Sequence, residues 1–227
     1  MPAPTDVQQA RRDQGPLTRR GETRKQNLLA AARRVFERQG FIDTNVADIV
    51  KEAKVSRGTF YTYFDTKEQV FSAVAQEVVG EMLTSMATRI PSEDFSRRVE
   101  DVIRRFIAAY EPHARMLGLI EQVGTFSPEL RDLRLEARDV FVRRTRRGIE
   151  RMQEAGVADP GLDVEYTAET LGAMLDQSCH LLFNLNMSFD RGRLVDTLAG
   201  IWIKALRIPV LPEGAAACHG QAADGAP

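Results

Sequence analysis

The sequence predicts an all-α chain of about nine helices. Apolar residues recur at steps of three and four along most of its length, the period of a helix with one buried face. No segment alternates apolar and polar residues as a half-buried strand does, and no internal repeat is present. Glycine, proline and N-capping residues cut the apolar stripes into helix-sized lengths. At 227 residues with 43% hydrophobic and 28% charged residues, the chain has ordinary globular composition and room for one or two domains. Wholly disordered, collagen-like and disulfide-stapled classes are excluded.

Taken in order, residues 1–20 read as a disordered basic arm carrying Arg11, Arg12, Arg19 and Arg20. From about Gly21, the residues Leu28, Ala32, Val35 and Phe36 form one stripe that Gly40 ends, since glycine readily takes the left-handed conformation past a helix end. Thr44 is the expected N-cap of a short helix burying Val46, Ile49 and Val50. Ser56 is the expected cap of a helix over roughly 57–63, and Asp65 or Thr66 of a long helix into the 80s. Further helices are expected near 93–110, 113–123, 128–155, 163–186 and 191–206, bounded by Pro91, Pro112, Pro128, the Gly156–Gly161 stretch and Asp190-Arg191-Gly192. Residues 209–227 read as a loose tail.

Charge is unevenly spread. Residues 1–67 hold 13 basic and 8 acidic residues, net +5; residues 68–227 hold 18 and 24, net −6. A basic front end on an acidic body suits a polyanion-binding module joined to something else. Cys179 and Cys218 lack partners at metal-ligand spacing, which fits a reducing cytosol and argues against a metal site. No apolar run approaches the roughly 18 residues of a membrane span. The chain has no Gly-rich phosphate loop, no His-Glu-x-x-His and no nucleophile elbow, so an enzyme is not expected.

Residues 44–64 carry the functional signal. Two short helices with a tight turn between them are the pattern of a helix-turn-helix, whose second helix enters the major groove. On a helix over 57–64, Phe60 and Phe64 share the face that must be buried. Gly58, Thr59 and Thr62 then point outward, Tyr61 and Tyr63 fall on the flanks, and Arg57 sits in the first turn. A small polar centre admits base edges, and flanking hydroxyls suit phosphate oxygens.

These residues resemble the tetracycline-repressor (TetR) family of bacterial regulators over roughly residues 22–75. The match rests on Gly40-Phe41, Thr44, Ile49, Ala53, Val55 to Tyr61, Tyr63-Phe64 and Lys67-Glu68. One departure is Lys54, where the family usually has glycine. The resemblance implies base contacts from Arg57, Gly58 and Thr59, with Thr62 on the same face. It implies phosphate contacts from Thr44, Ser56, Tyr61, Tyr63 and Lys67. It implies a DNA-binding domain over 21–67 and a ligand-binding and dimerisation domain over 68–208.

A homodimer on palindromic double-stranded DNA follows, joined through helices near 163–186 and 191–206. There the small step Ala168, Gly172, Ala173 and the apolar Leu194, Leu198 and Trp202 suit close packing. An effector pocket between the middle helices is also implied. Phe106, Tyr110, Met116, Leu117, Ile120 and Phe126 are candidate lining residues, with Phe141, Met174 and Gln177. His113, Gln122 and His180 are further polar candidates. The stretch Arg131, Arg134, Arg138, Arg143, Arg144, Arg146, Arg147 either pairs with neighbouring acids as a solvated face or neutralises an anionic ligand. The implied function is a cytoplasmic, cofactor-free, ligand-responsive repressor released from its operator by a small, largely apolar effector. A regulator answering to a protein partner, and a small-molecule binding protein with vestigial DNA binding, are the alternatives.

Overall fold

The computed structural model describes residues 19–87 and 94–208. Among them the chain is helical, in the order expected and with no strand. The arm before Arg19 and the tail after Ile208 lie outside the described residues. Arg19 and Arg20, assigned above to the arm, instead form the first turn of helix α1 (Arg19–Gln39). Leu28, Leu29, Ala32, Val35 and Phe36 supply its buried stripe. Gly40 closes the helix at φ 82°, its N–H donating to the Phe36 carbonyl at 2.8 Å.

Helix α2 (Val46–Ala53) is capped by Asn45, which corrects the assignment to Thr44. Asn45 Oδ1 accepts from the Asp48 N–H at 3.1 Å, and the Asp48 carboxylate accepts from the Asn45 N–H at 3.2 Å. That reciprocal pair satisfies two end donors at once, which Thr44 cannot match. Thr44 is instead buried, its hydroxyl donating to the Gly40 carbonyl at 2.6 Å. Lys54 ends α2 at φ 55° and ψ 42°, the left-handed conformation for which glycine is the cheaper residue. Helix α3 (Arg57–Tyr63) follows, then α4 (Lys67–Ser85), whose Thr66 hydroxyl accepts from the Gln69 N–H at 3.2 Å.

The remaining helices are α5 (Phe95–Tyr110), α6 (Ala114–Gly124), α7 (Pro128–Glu154), α8 (Val164–Cys179) and α9 (Arg191–Ala205). Asp94, Asp163 and Asp190 cap α5, α8 and α9. A π-helical turn, His180–Asn184, extends α8, so the helix expected to reach 186 stops being α-helical at Cys179.

The chain forms two compact units. Of the described residues, one takes those up to Thr84 together with His113–Glu136; the other takes those between Ser85 and Pro112 and those from Ala137 on. The first is centred on Phe36, Phe41 and Phe71, with Phe71 edge-on to both partners at 4.9 and 4.8 Å. Met116, Ile120 and Val123 of α6 are buried in this unit. Arg33 organises a polar cluster in it, donating to Glu37 at 3.0 Å, to Glu81 at 2.9 Å and to His113 Nδ1 at 3.0 Å.

Burial, with the Arg33 charge second, holds the His113 imidazole below its ordinary value of 6.5. The unfolded chain therefore takes up this proton first as pH falls. The stability owed to neutral His113 is complete above about pH 6.5 and is lost as pH drops below it. His113→Gln keeps an acceptor for Arg33 without titrating. Its urea midpoint is expected to fall less than wild type between neutral pH and pH 5; parallel profiles would assign the acid sensitivity elsewhere.

In the second unit Val99, Ile103, Phe106 and Ile107 of α5 are buried, as are Ala168, Leu171, Gly172 and Leu175 of α8. A Cβ on Gly172 would lie 3.5 Å from the Phe141 ring and 3.6 Å from Val142. Gly172 is thus packed against α7 and Ala168 is buried within the subunit, so neither is open to the intersubunit seam expected from sequence. Cys179 is wholly buried, and that burial pushes its thiol up to about 12, leaving it inert.

Candidate DNA-binding face and effector cavity

Helix α3 has seven residues, too few to be stable alone, so its neighbours must hold it. Ser56 caps it, with its Oγ accepting from the Thr59 N–H at 3.1 Å. Phe60 is 0% exposed and Phe64 is 6%, their rings 6.0 Å apart, as the i, i+4 spacing predicts. This anchorage turns Arg57, Gly58 and Thr62 to solvent, with Thr59 partly exposed. Tyr61 is 46% exposed on one flank and edge-on to Phe60; Tyr63 is half-buried on the other.

Two details sharpen this face. A Cβ on Gly58 would meet only Ser56 Oγ, at 3.7 Å, and the backbone there does not require glycine. A glycine inside a helix costs about 1 kcal/mol relative to alanine. Packing within the subunit gives no reason for it, whereas close approach of an outside partner does. The Thr62 hydroxyl donates to the Gly58 carbonyl at 3.0 Å, so it offers lone pairs outward and no hydrogen. Arg57 and Lys54 are exposed and have no partner among the described residues.

Two expected phosphate contacts look different in three dimensions. The Thr44 side chain is buried and committed to Gly40, so it does not reach this face. Lys67 Nζ donates to the Phe41 carbonyl at 2.9 Å and to the Ile42 carbonyl at 3.3 Å, and lies 4.4 Å from the centre of the Phe41 ring. Lys67 thereby pins the turn after α1 to the start of α4. Sequence reasoning missed Asn45, although Asn45-x-x-Asp48 is a readable capping signal.

The second unit holds a cavity of about 410 Å³, partly open to solvent, within the range of small-molecule sites. Its apolar wall comes from Val99, Val102 and Phe106 of α5, from Phe141, Ile149 and Met152 of α7, and from Trp202 of α9 and Leu206 just past its end. Of the residues expected to line a pocket, Phe106 and Phe141 do so, with rings 4.7 Å apart. The others do not, and each has a physical reason. Met116 and Ile120 are packed in the core of the first unit, with Leu117 half-buried on the same helix. Phe126 is 61% exposed. Tyr110 is buried, but its hydroxyl donates to Asn184 at 3.0 Å and its ring stacks on Phe183. Met174 and Gln177 lie on α8, which contributes nothing to the wall, and His113, Gln122 and His180 are likewise outside it.

A helix-turn-helix with an exposed, small-centred second helix, joined to a helical unit that holds a cavity, defines a DNA-binding transcriptional regulator. Residues 28–74 match bacterial regulatory proteins of the tetR family, and residues 99–207 match the C-terminal domain of the transcriptional regulator EthR. The chain belongs to the TetR family, whose regulators bind DNA and dimerise. It is 26% identical over 190 residues to the HTH-type transcriptional regulator EthR of Mycobacterium tuberculosis, covering 82% of this chain and 88% of that one. It is 28% identical over 207 residues to the HTH-type regulator YdgC of Bacillus subtilis, covering 86% and 96%. The fold is shared with a transcriptional regulator from Rhodococcus sp. Rha1 at a TM-score of 0.69 and 18% identity, covering 82% and 99% of the two chains.

Among the described residues no group of three or more His, Cys, Asp or Glu is placed to hold a metal ion. No described helix is long and apolar enough to cross a membrane.

Proposed function

We propose that this regulator is a cytoplasmic homodimeric repressor, without enzymatic activity or a cofactor, that leaves its operator when a small, largely apolar molecule fills the cavity of the second unit. The observation that carries the reading is the α3 face, where Arg57 stands unpaired beside a glycine that internal packing does not need. Arg57, Gly58 and Thr59 read base edges, with Thr62 accepting hydrogen bonds beside them. Ser56, Tyr61 and Tyr63 hold phosphates, and the free Lys54 charge adds attraction at the same end. Functionally, residues 21–67 serve DNA and 68–208 serve effector and dimer.

One such helix reads too few base pairs, so two copies bind half-sites one turn apart, about 34–36 Å. The outward faces of α8 and α9 suit the dimer contact. Tyr166 is 73% exposed and Ile201 44%, with Ala173 and Gln177 also at the surface. A cavity of ligand size supports a small-molecule signal over a protein partner, which would be served by a packed unit.

Selection from a random DNA pool is expected to return an inverted repeat. A single half-site, or no sequence preference, would refute the dimeric reading. Lys67 acts chiefly by holding the Phe41–Ile42 turn. Lys67→Ala is therefore expected to weaken binding to all DNA while changing the log–log salt slope by well under the one unit expected of a lost phosphate contact. A slope lower by about one unit would return Lys67 to the phosphate footprint.

A further inference from the structure

The arginine-rich stretch of α7 divides into two groups with different surroundings. Arg131, Arg134, Arg138, Arg143 and Arg146 have acidic partners in Asp132, Glu121, Glu169, Asp139 and Glu150; the Arg138–Glu169 pair, at 2.5 Å, ties α7 to α8. Arg144, Arg147 and Arg151 are exposed, carry no ion pair among the described residues, and all three line the cavity. Steps of three and four put them in one row along α7. Facing them in the lining are Arg98 and Arg105 of α5, one helical stripe of their own. No Asp or Glu is among the described lining residues. Deeper in the wall, Trp202 is 3% exposed, and its indole N–H has no hydrogen-bond partner among the described residues. A buried donor without an acceptor costs free energy that a ligand oxygen recovers.

We infer that the cavity takes an anionic amphiphile, a molecule with an apolar chain and a carboxylate or phosphate head. The chain lies against Val99, Phe106, Phe141 and Met152, and the head is held by Arg144, Arg147 and Arg151. Apolar wall and cationic rim sit on one void, so a neutral oil leaves the rim unused and a free anion leaves the wall unused. Guanidinium groups suit both candidate heads because they pair bidentately with either. This inference rests on reading the cavity as the effector site and names the chemistry of its ligand.

Trp202 is the single tryptophan of the chain and lines the cavity, so its fluorescence reports filling. The full-length protein is titrated with laurate and dodecyl phosphate below their micelle concentrations and with dodecanol below its solubility limit. Laurate or dodecyl phosphate is expected to shift the emission saturably, and dodecanol to bind about tenfold more weakly or worse. The tighter of the two anions identifies the head. Arg144→Gln/Arg147→Gln/Arg151→Gln is expected to remove about tenfold of the anion affinity and leave dodecanol unchanged; the corresponding triple lysine variant, which keeps the charge but not the bidentate fork, restores part of it. Dodecanol binding as tightly as the anions, or a triple glutamine variant that binds laurate and dodecyl phosphate like wild type, would overturn the head-group assignment and leave an effector cavity standing. No response to any of the three would overturn both.

Discussion

Phe60→Ala is expected to destabilise the DNA-binding unit by about 3–5 kcal/mol. Phe60 has no exposed surface and is the deepest contact of a seven-residue helix. Its removal deletes the buried ring and leaves a void that neighbouring Phe64 fills only in part, because α3 is tethered at both ends by the Ser56 cap and the Phe64 N–H bond to the Phe60 carbonyl. Since α3 cannot persist unpacked, DNA binding should fall with stability. Urea unfolding followed by circular dichroism measures the first effect and fluorescence anisotropy on the selected operator the second. A loss below about 1 kcal/mol, short of the range for a buried Phe, would show that α3 is anchored elsewhere.

Arg57→Ala separates recognition from stability. Arg57 is exposed and unpaired, so its removal should change folding stability by no more than about 0.5 kcal/mol. Specific binding should weaken by about 1–3 kcal/mol, roughly five- to 150-fold, with discrimination relaxed at one base position in each half-site. The informative readout is the ratio of operator to random-sequence affinity across a salt series. A reduced ratio with the salt slope preserved marks a base contact. An unchanged ratio with a slope lower by about one marks a phosphate contact, and would move base reading to Thr59 and Thr62.

The local features of the first unit were legible because each is set by neighbours in sequence. Phe60 and Phe64 announce the buried face of α3 by their spacing, Ser56 announces its start, and Gly40 the end of α1. Lys54 sits at φ 55°, in the conformation that made the absence of glycine there conspicuous. Thr44 misled because Thr44 and Asn45 are both good caps. The choice between them lies with Asp48, whose carboxylate returns the hydrogen bond to Asn45.

The cavity was not legible in the same way. Apolar periodicity reports which face of a helix is buried, not whether the space behind it is filled. Met116 and Ile120 carry the same signal as Phe106 and Phe141, yet the first pair is packed in one unit and the second lines a void in the other. That void is lined by residues from Met86 to Leu206, so its existence is a long-range property of the fold. The roles of the α7 arginines were hidden for a related reason. Glu121 and Glu169, which neutralise Arg134 and Arg138, lie on other helices, and only the folded chain shows which arginines they leave for the cavity.

The proposed release from DNA requires the cavity and the α3 face to be linked in one equilibrium. Such linkage is reciprocal: if the ligand weakens DNA binding by some factor, DNA must weaken ligand binding by the same factor. The most direct test is a pair of titrations on the wild-type protein. Operator affinity is measured by anisotropy with and without saturating laurate or dodecyl phosphate, whichever binds tighter. The affinity of that ligand is measured by Trp202 fluorescence with and without saturating operator. We expect both constants to fall by one common factor, of about five- to 150-fold. Operator affinity that is unchanged with the cavity filled would contradict the account.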